Sequence, residues 1–386
     1  MTRRTSLVLT CALVVLGVAP EATAGVAPTP DSTWMVDGPR VQDVVTTESL
    51  VFVGGDFTEA IPASGGVRLP SQNLVALDAV TSEPAWTQDV RFSSGEPSMV
   101  WDLELAPDGQ ALYVCGSFDM VGGSSRANVA ALDPDTGELL SWTPQSASQC
   151  RSITAVGDRV FVGGGSSIQA VASDGSRVWI DRTDGPVLTI TSDGTDLYAG
   201  GRFSRIDDVT SPSAGKIDPS TGLVDATWEL VAVPFTTRGE GPFVIDLLID
   251  RASLFVAAGG ADYAARYDLA SGGLEWWTDT SGSVQAVERI SWGTLVLGGH
   301  FQWVGDADTA ECGTNDDPVR SCSARLRLAS VSARTGALRE WDPVVTGAYS
   351  GVWSLDLDPV GRLHVGGEFT TVGGLKQLYY ARLATI

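Results

Sequence analysis

Short apolar runs recur along this chain in a fixed order, separated by turn residues. A strand-like run such as "VWDLELAPDG", "VLTITSDG" or "VWSLDLDPVG" leads through a polar turn into a second run that carries a glycine pair. The second run reads "LVFVGGDF" at 50, "LYVCGSF" at 112, "RVFVGGGS" at 159, "DLYAGGRF" at 196, "SLFVAAGG" at 253, "TLVLGGHF" at 294 and "RLHVGGEF" at 362. Turn pairs such as Asp-Gly between apolar runs supply the positive φ angles of a tight hairpin, so each unit predicts two antiparallel strands at once. In six copies a third strand follows and passes through a turn of the "LDPDTG" kind into a fourth strand bearing tryptophan.

Four short antiparallel strands repeated at a period of roughly 40 to 60 residues are the signature of a propeller. The pattern predicts an all-β fold: a seven-bladed β-propeller of four-stranded antiparallel blades, closed by the N-terminal strand completing the last blade. The expected fourth-strand tryptophans are Trp86, Trp142, Trp179, Trp228, Trp277 and Trp341, and Trp34 in "STWMVDGPRVQDVV" is the expected seventh, entering from the N-terminal side. The glycine pairs sit where sheets crowd, because a residue without Cβ lets backbones approach. The phenylalanines Phe57, Phe118, Phe203, Phe301 and Phe369 follow them and fill gaps between blades.

The N-terminus changes the picture of where the protein resides. Arg3 and Arg4, the apolar run Leu7 to Val18 and the small residues Ala22-Thr23-Ala24 read as a secretory signal peptide. The expected organisation is a signal peptide over 1–24, a linker over 25–32 and a single propeller over 33–386, in a secreted protein with no transmembrane segment. Beyond the signal, Cys115, Cys150, Cys312 and Cys322 are an even set for an oxidising compartment. Cys312 and Cys322 bracket a short loop and are the natural pair. Cys115 and Cys150 lie on adjacent blades, either bridged or as two buried thiols.

A formal net charge of −22 excludes nucleic acid as a partner. The expected form is a monomer with an unknown protein or carbohydrate ligand at the cell surface.

The unit "ALDPDTGELLSW", Ala131 to Trp142, resembles the tryptophan-docking repeat of quinoprotein dehydrogenases, and the combined "VGGDF" and "LD..TG...W" unit resembles the propeller repeats of secreted bacterial proteins of the delta-60 group. The first resemblance implies a quinone cofactor. This chain has no adjacent cysteine pair of the kind many quinoproteins carry. The second implies an extracellular binding or scaffold role.

Candidate chemistry is sparse. The face formed by loops 56–73, 88–98, 229–242, 302–324 and 342–351 is the expected binding face, with Trp303, Arg238, Glu240, Tyr349 and His300 as its contacts. His364, between apolar neighbours, reads as a core residue. Aligning the first strands places Asp43, Asp102, Ser152, Thr189, Asp246, Ala286 and Ser354 at one equivalent position near the axis. Asp43, Asp102 and Asp246 are therefore candidate ligands for an axial hard cation such as calcium; the other reading is that they hydrogen-bond neighbouring blades or water.

No catalytic motif is present. The expected function is a non-catalytic binding or protein-interaction module. Its alternative is an extracellular enzyme at the channel mouth, either a quinone- or calcium-dependent oxidoreductase or a carboxylate-based glycoside-active protein.

Overall fold

A computed structural model of the chain describes residues 25–145, 149–234, 241–308, 312–316 and 321–385. The expected signal peptide, Arg238 and Glu240 lie outside these residues. Among the described residues there is no helix. The repeat units fold as small antiparallel sheets, each ordered as its strands follow in the chain. The first contains Arg40–Thr46, Leu50–Asp56, Asn73–Asp78 and Pro84–Arg91. The same order recurs in full from Ser152–Val156 to Arg177–Arg182 and from Phe243–Asp250 to Leu274–Asp279. In the sheets begun by Met99–Leu105, Val187–Ser192 and Val284–Ser291 the fourth strand is reduced to a single bridge, for example Leu132 to Leu139.

The last sheet is built differently. Val345–Leu357, Leu363–Val372 and Tyr380–Thr385 are its first three strands, and Val26–Pro30 pairs antiparallel with Tyr380–Thr385 as its outer strand. The outer strand thus comes from the segment expected to be a linker. Trp34, expected on that strand, instead lies on Trp34–Val36, which pairs with Glu59–Pro62 beside the first sheet.

Sheets pack face to face, and the glycine pair explains how closely. A Cβ on Gly366 would stand 2.5 Å from Val41 Cγ1 of the first sheet, and one on Gly367 would stand 2.2 Å from the Gly351 carbonyl oxygen. The first glycine of the pair admits the neighbouring sheet, and the second admits its own hairpin partner. Gly54 meets Val100 of the next sheet in the same way, at 2.6 Å. In the second sheet Cys115 occupies the first glycine position and Cys150 the facing valine position, and the two are joined by a disulfide. Cys312 and Cys322 form the other disulfide.

The outer tryptophans dock each sheet on the next. Trp86 Nε1 donates to the Pro134 carbonyl at 2.9 Å, Trp179 Nε1 to Pro219 at 3.1 Å and Trp228 Nε1 to Leu269 at 3.0 Å. In the fifth repeat the docking residue is Trp276, not Trp277: Trp276 Nε1 donates to the Ala333 carbonyl at 3.2 Å and its ring packs against Phe255. Trp341 donates to the Val26 carbonyl, on the N-terminal strand. Trp34 does not dock the last sheet on the first. Arg382 donates from Nη1 to the Ala79 carbonyl at 2.9 Å, in the turn of the first sheet equivalent to Pro134 of the second.

Candidate functional site

The first strands of the sheets meet around one axis. The aligned residues Asp43, Asp102, Ser152, Thr189, Asp246, Ala286 and Ser354 all line a single cavity of about 140 Å³. So do the residues preceding them, among them Gln42, Trp101, Arg151, Gln285 and Trp353. A regular strand would send consecutive side chains to opposite faces. Here the pairing register shifts between Val41 and Asp43, between Val244 and Asp246 and between Val352 and Ser354, and a β-bulge of this kind re-aims a side chain.

The polar ring is knitted together between sheets. Asp43 Oδ2 accepts the Leu103 N–H at 2.8 Å, Asp102 Oδ2 accepts Ile153 N–H at 2.7 Å and Ser152 Oγ accepts Ile190 N–H at 3.0 Å. Asp246 Oδ2 accepts Val287 N–H at 3.0 Å, and Ser354 Oγ accepts Val44 N–H at 3.0 Å while donating to Asp43 Oδ1 at 2.9 Å. In each backbone N–H bond the acceptor reaches the next sheet one residue past the aligned position there. Leu247 N–H is satisfied instead by the adjacent Asp246 Oδ1 at 2.8 Å. Ala286 has no acceptor to offer.

Two residues deeper along the strands lies a second set of acids, Glu104, Glu288 and Asp356. Glu104 Oε1 accepts from Thr154 Oγ1 and Ala155 N–H, both at 3.1 Å, so it too reaches the next sheet. The two-residue period of a strand, carried on from the aligned ring, is the sequence signal that would have found these acids.

Burial dominates the electrostatics. It pushes Asp43 up and, with the neighbouring Asp43 carboxyl, holds Asp102 well above the carboxylate range. Burial raises Asp246 to about 6 and both Glu104 and Asp356 to about 7, and with the Asp356 charge it holds Glu288 well above its ordinary value. Arg151, stacked 4.0 Å over the Trp101 ring, is lowered to about 10 by burial, opposed by the charge of Asp102. Among the described residues no group of three or more His, Cys, Asp or Glu side chains converges to hold a metal ion.

Of the sequence-derived contacts, Trp303 and His300 do not line this cavity. Trp303 is half-buried on Trp303–Val304, paired with Ser323–Ala324 next to the Cys312–Cys322 loop. His300 Nε2 accepts the Ser283 N–H at 3.3 Å, and burial holds its pKa below the usual histidine value. Tyr349 lies within Val345–Leu357. His364 is fully buried, with Nδ1 2.9 Å from the Tyr380 hydroxyl and Nε2 3.3 Å from Asp358.

The axial cavity also tests the quinone that the dehydrogenase resemblance implies. At about 140 Å³ it has room for only a few water molecules at ~30 Å³ each. Its acids are already engaged with backbone N–H groups, and Arg151 is committed to the Trp101 face. The residues present do not fit a fused-ring quinone at the axis.

Small antiparallel sheets packed around a common axis, each contributing its first strand to the axial cavity, define a β-propeller. A family model described as outer membrane protein assembly factor BamB matches residues 70–300, and the chain belongs to that family. Among solved structures, it is similar to the WD40 propeller domain of Doa1, at 12% identity over 92% of this chain and 96% of that one, with a TM-score of 0.57. The WD40 repeats of RRP9 align at 10% identity over 94% of this chain and 100% of that one, with a TM-score of 0.57. The extracellular domain of a putative one-component system, BT4673 from B. thetaiotaomicron, aligns at 12% over 92% of this chain and 40% of that one, with a TM-score of 0.53. At these identities the likeness shows the fold alone. No curated protein matches the sequence.

Proposed function

We propose that the chain is a seven-bladed propeller of delta-60-like repeats, closed by Val26–Pro30, that serves as a non-catalytic protein-interaction module outside the cytoplasm. The observation that carries this reading is the use of the axial acids. Asp43, Asp102 and Asp246 each accept a backbone N–H from the next sheet, so the carboxylates that could have done chemistry are holding blades together. The seven aligned first-strand residues around one cavity, and the pairing of Val26–Pro30 with Tyr380–Thr385, support the blade count and the closure. Two disulfides suit an oxidising compartment, in keeping with the signal-like N-terminus. Among the described residues no helix is long and apolar enough to cross a membrane. The matched family model is described as an assembly factor, and we extend that kind of role, binding another protein, to this chain.

A thermal-shift series tests the reading. Calcium, EDTA, a quinone cofactor and oligosaccharides are each expected to leave the melting midpoint unchanged. Asp102→Asn, which keeps an acceptor for Ile153, is expected to leave partner binding intact. A ligand at a hundredfold excess over its Kd stabilises by about 2.7 kcal/mol. A shift of that size with quinone and calcium, accompanied by turnover that Asp102→Asn abolishes, would overturn the proposal in favour of an enzyme.

A further inference from the structure

The turns between first and second strands lie on the opposite face from the connections between second and third strands, because successive strands run antiparallel. On that opposite face, the fifth and sixth sheets bring Asp250–Ser253 and Ser291–Thr294 together around a cleft of about 280 Å³. Arg251, Arg266, Arg289 and Arg334 line it together with Trp292. Four guanidinium groups in one cleft run against the character of a chain with net charge −22. Asp250 pairs with Arg289, and Glu275 pairs with Arg266 at 2.7 Å. Arg251 and Arg334 are exposed and make no ion pair among the described residues.

Trp292 is 62% exposed, unlike the docking tryptophans, and Arg251 and Arg289 flank it with guanidinium carbons 3.4 and 4.7 Å from the ring centroid. The indole is thus held by two guanidinium groups while much of its surface stays open to solvent. Arg251 itself occupies a left-handed backbone position, φ 57°, in the two-residue turn between Asp250 and Ser253. The equivalent turn of the third sheet, between Val156 and Arg159, uses Gly157 at φ 60°. An arginine where glycine is the unstrained choice costs stability that the fold does not require.

We propose that this cleft is a docking site for an acidic segment of a partner protein, whose carboxylates pair with Arg251 and Arg334 while an apolar side chain rests on Trp292. The inference rests on the interaction-module reading and names its surface and the chemistry of the partner. Guanidinium groups bind carboxylates as planar forks, and Trp and Arg are the residue types that most often dominate protein interfaces. Charge complementarity selects the occupant: the cleft carries more cations than anions, whereas the rest of the chain would repel an acidic segment. The cleft also acts locally, because at physiological salt the field of the remaining charges is screened beyond about 8 Å.

The test uses fluorescence anisotropy with a labelled hexapeptide of glutamate and leucine, a matched lysine and leucine peptide, and inorganic phosphate as competitor. The wild-type protein is expected to bind the glutamate peptide, weakening as salt rises, and not the lysine peptide. Arg251→Gly combined with Arg334→Ala is expected to weaken binding about tenfold or more, and Trp292→Ala about fivefold or more. Arg334→Ala, which leaves the Arg251–Trp292 stack in place, is expected to weaken binding on its own while the melting midpoint is unchanged. Equal binding of both peptides, no binding of the glutamate peptide, full displacement by phosphate at equal concentration, or variants that bind like wild type would each overturn the proposal. Self-association lost in Trp292→Ala, measured by sedimentation, would replace the partner with a second copy and overturn it too. A captured protein partner indifferent to these variants would sink the cleft while leaving the module reading intact. Catalytic turnover would sink that reading instead.

Discussion

Arg382 donates from Nη1 to the Ala79 carbonyl at 2.9 Å and thereby does for the last sheet what tryptophan does for the others. Its Nε also pairs with Asp31 at 2.8 Å, so one buried side chain ties the C-terminal strand both to the first sheet and to the chain just past the N-terminal strand. Arg382→Ala would leave the Ala79 carbonyl unpaired at the junction of the last and first sheets. The expected loss is about 2–4 kcal/mol, from charge-assisted hydrogen bonds and a desolvated acceptor. Urea unfolding monitored by tryptophan fluorescence measures it, and a loss below about 0.5 kcal/mol would show that the junction does not depend on Arg382.

The Cys115–Cys150 bridge spans 35 residues and stands where other sheets place glycine against valine. Closing a loop of that length is worth about 3–4 kcal/mol in the chain-entropy model. Cys115→Gly with Cys150→Val is expected to cost about that much less whatever the restored contact returns, so about 2–3 kcal/mol. Cys150→Val alone is expected to cost more than the double change, because Cys115 then presses its side chain against the neighbouring sheet. Melting of the three proteins under non-reducing conditions gives the order.

Glu104 and Asp356 carry carboxyls raised by burial to about 7. The folded value lies above the unfolded one, so their stabilising contribution is complete below about pH 4 and is lost as pH rises through about 7. His300 and His364, held low by burial, oppose this below about pH 6.5, so the comparison is made with variants. Glu104→Gln keeps an acceptor for Ala155 and Thr154. Its stability relative to wild type is expected to rise from pH 5 to pH 8 by about 1–2 kcal/mol, the full shift being reduced where the group meets the solvated channel. Asp356→Asn is expected to behave in the same direction. A difference that stays flat with pH would show that neither carboxyl is perturbed.

Asp102 separates an architectural acid from a reactive one. Asp102→Ala leaves the Ile153 N–H without its inter-sheet partner and is expected to cost about 1–3 kcal/mol, whereas Asp102→Asn is expected to cost less than about 1 kcal/mol. Denaturant unfolding distinguishes the two, and equal losses would contradict the inter-sheet role.

Much of this architecture was legible in the sequence because its rules are local. Hairpins between apolar runs, the glycine pair and the aligned first-strand position each follow from a repeat whose copies can be superposed residue by residue. That superposition placed Asp43, Asp102, Ser152, Thr189, Asp246, Ala286 and Ser354 at one position, and all of them line the axial cavity. The same superposition sets Cys115 on a glycine position and Cys150 on the facing valine position, a signal for their pairing. The reading failed where the number of residues between turn and tryptophan varies from copy to copy. Trp276 and Trp277 fit the repeat equally well, and only the buried side of the strand chooses Trp276, which is 2% exposed.

The sequence by itself determined the strands, their order and the axial ring, because these depend on periodicity and turn chemistry that each repeat carries within itself. Tertiary structure alone decided what happens where the ends of the chain meet. There Val26–Pro30 rather than the Trp34 segment pairs with the last sheet, and an arginine takes over a docking tryptophan. It also decided which loop arginines share a cleft with Trp292. Both outcomes arise from contacts between residues far apart in sequence, which no local period encodes.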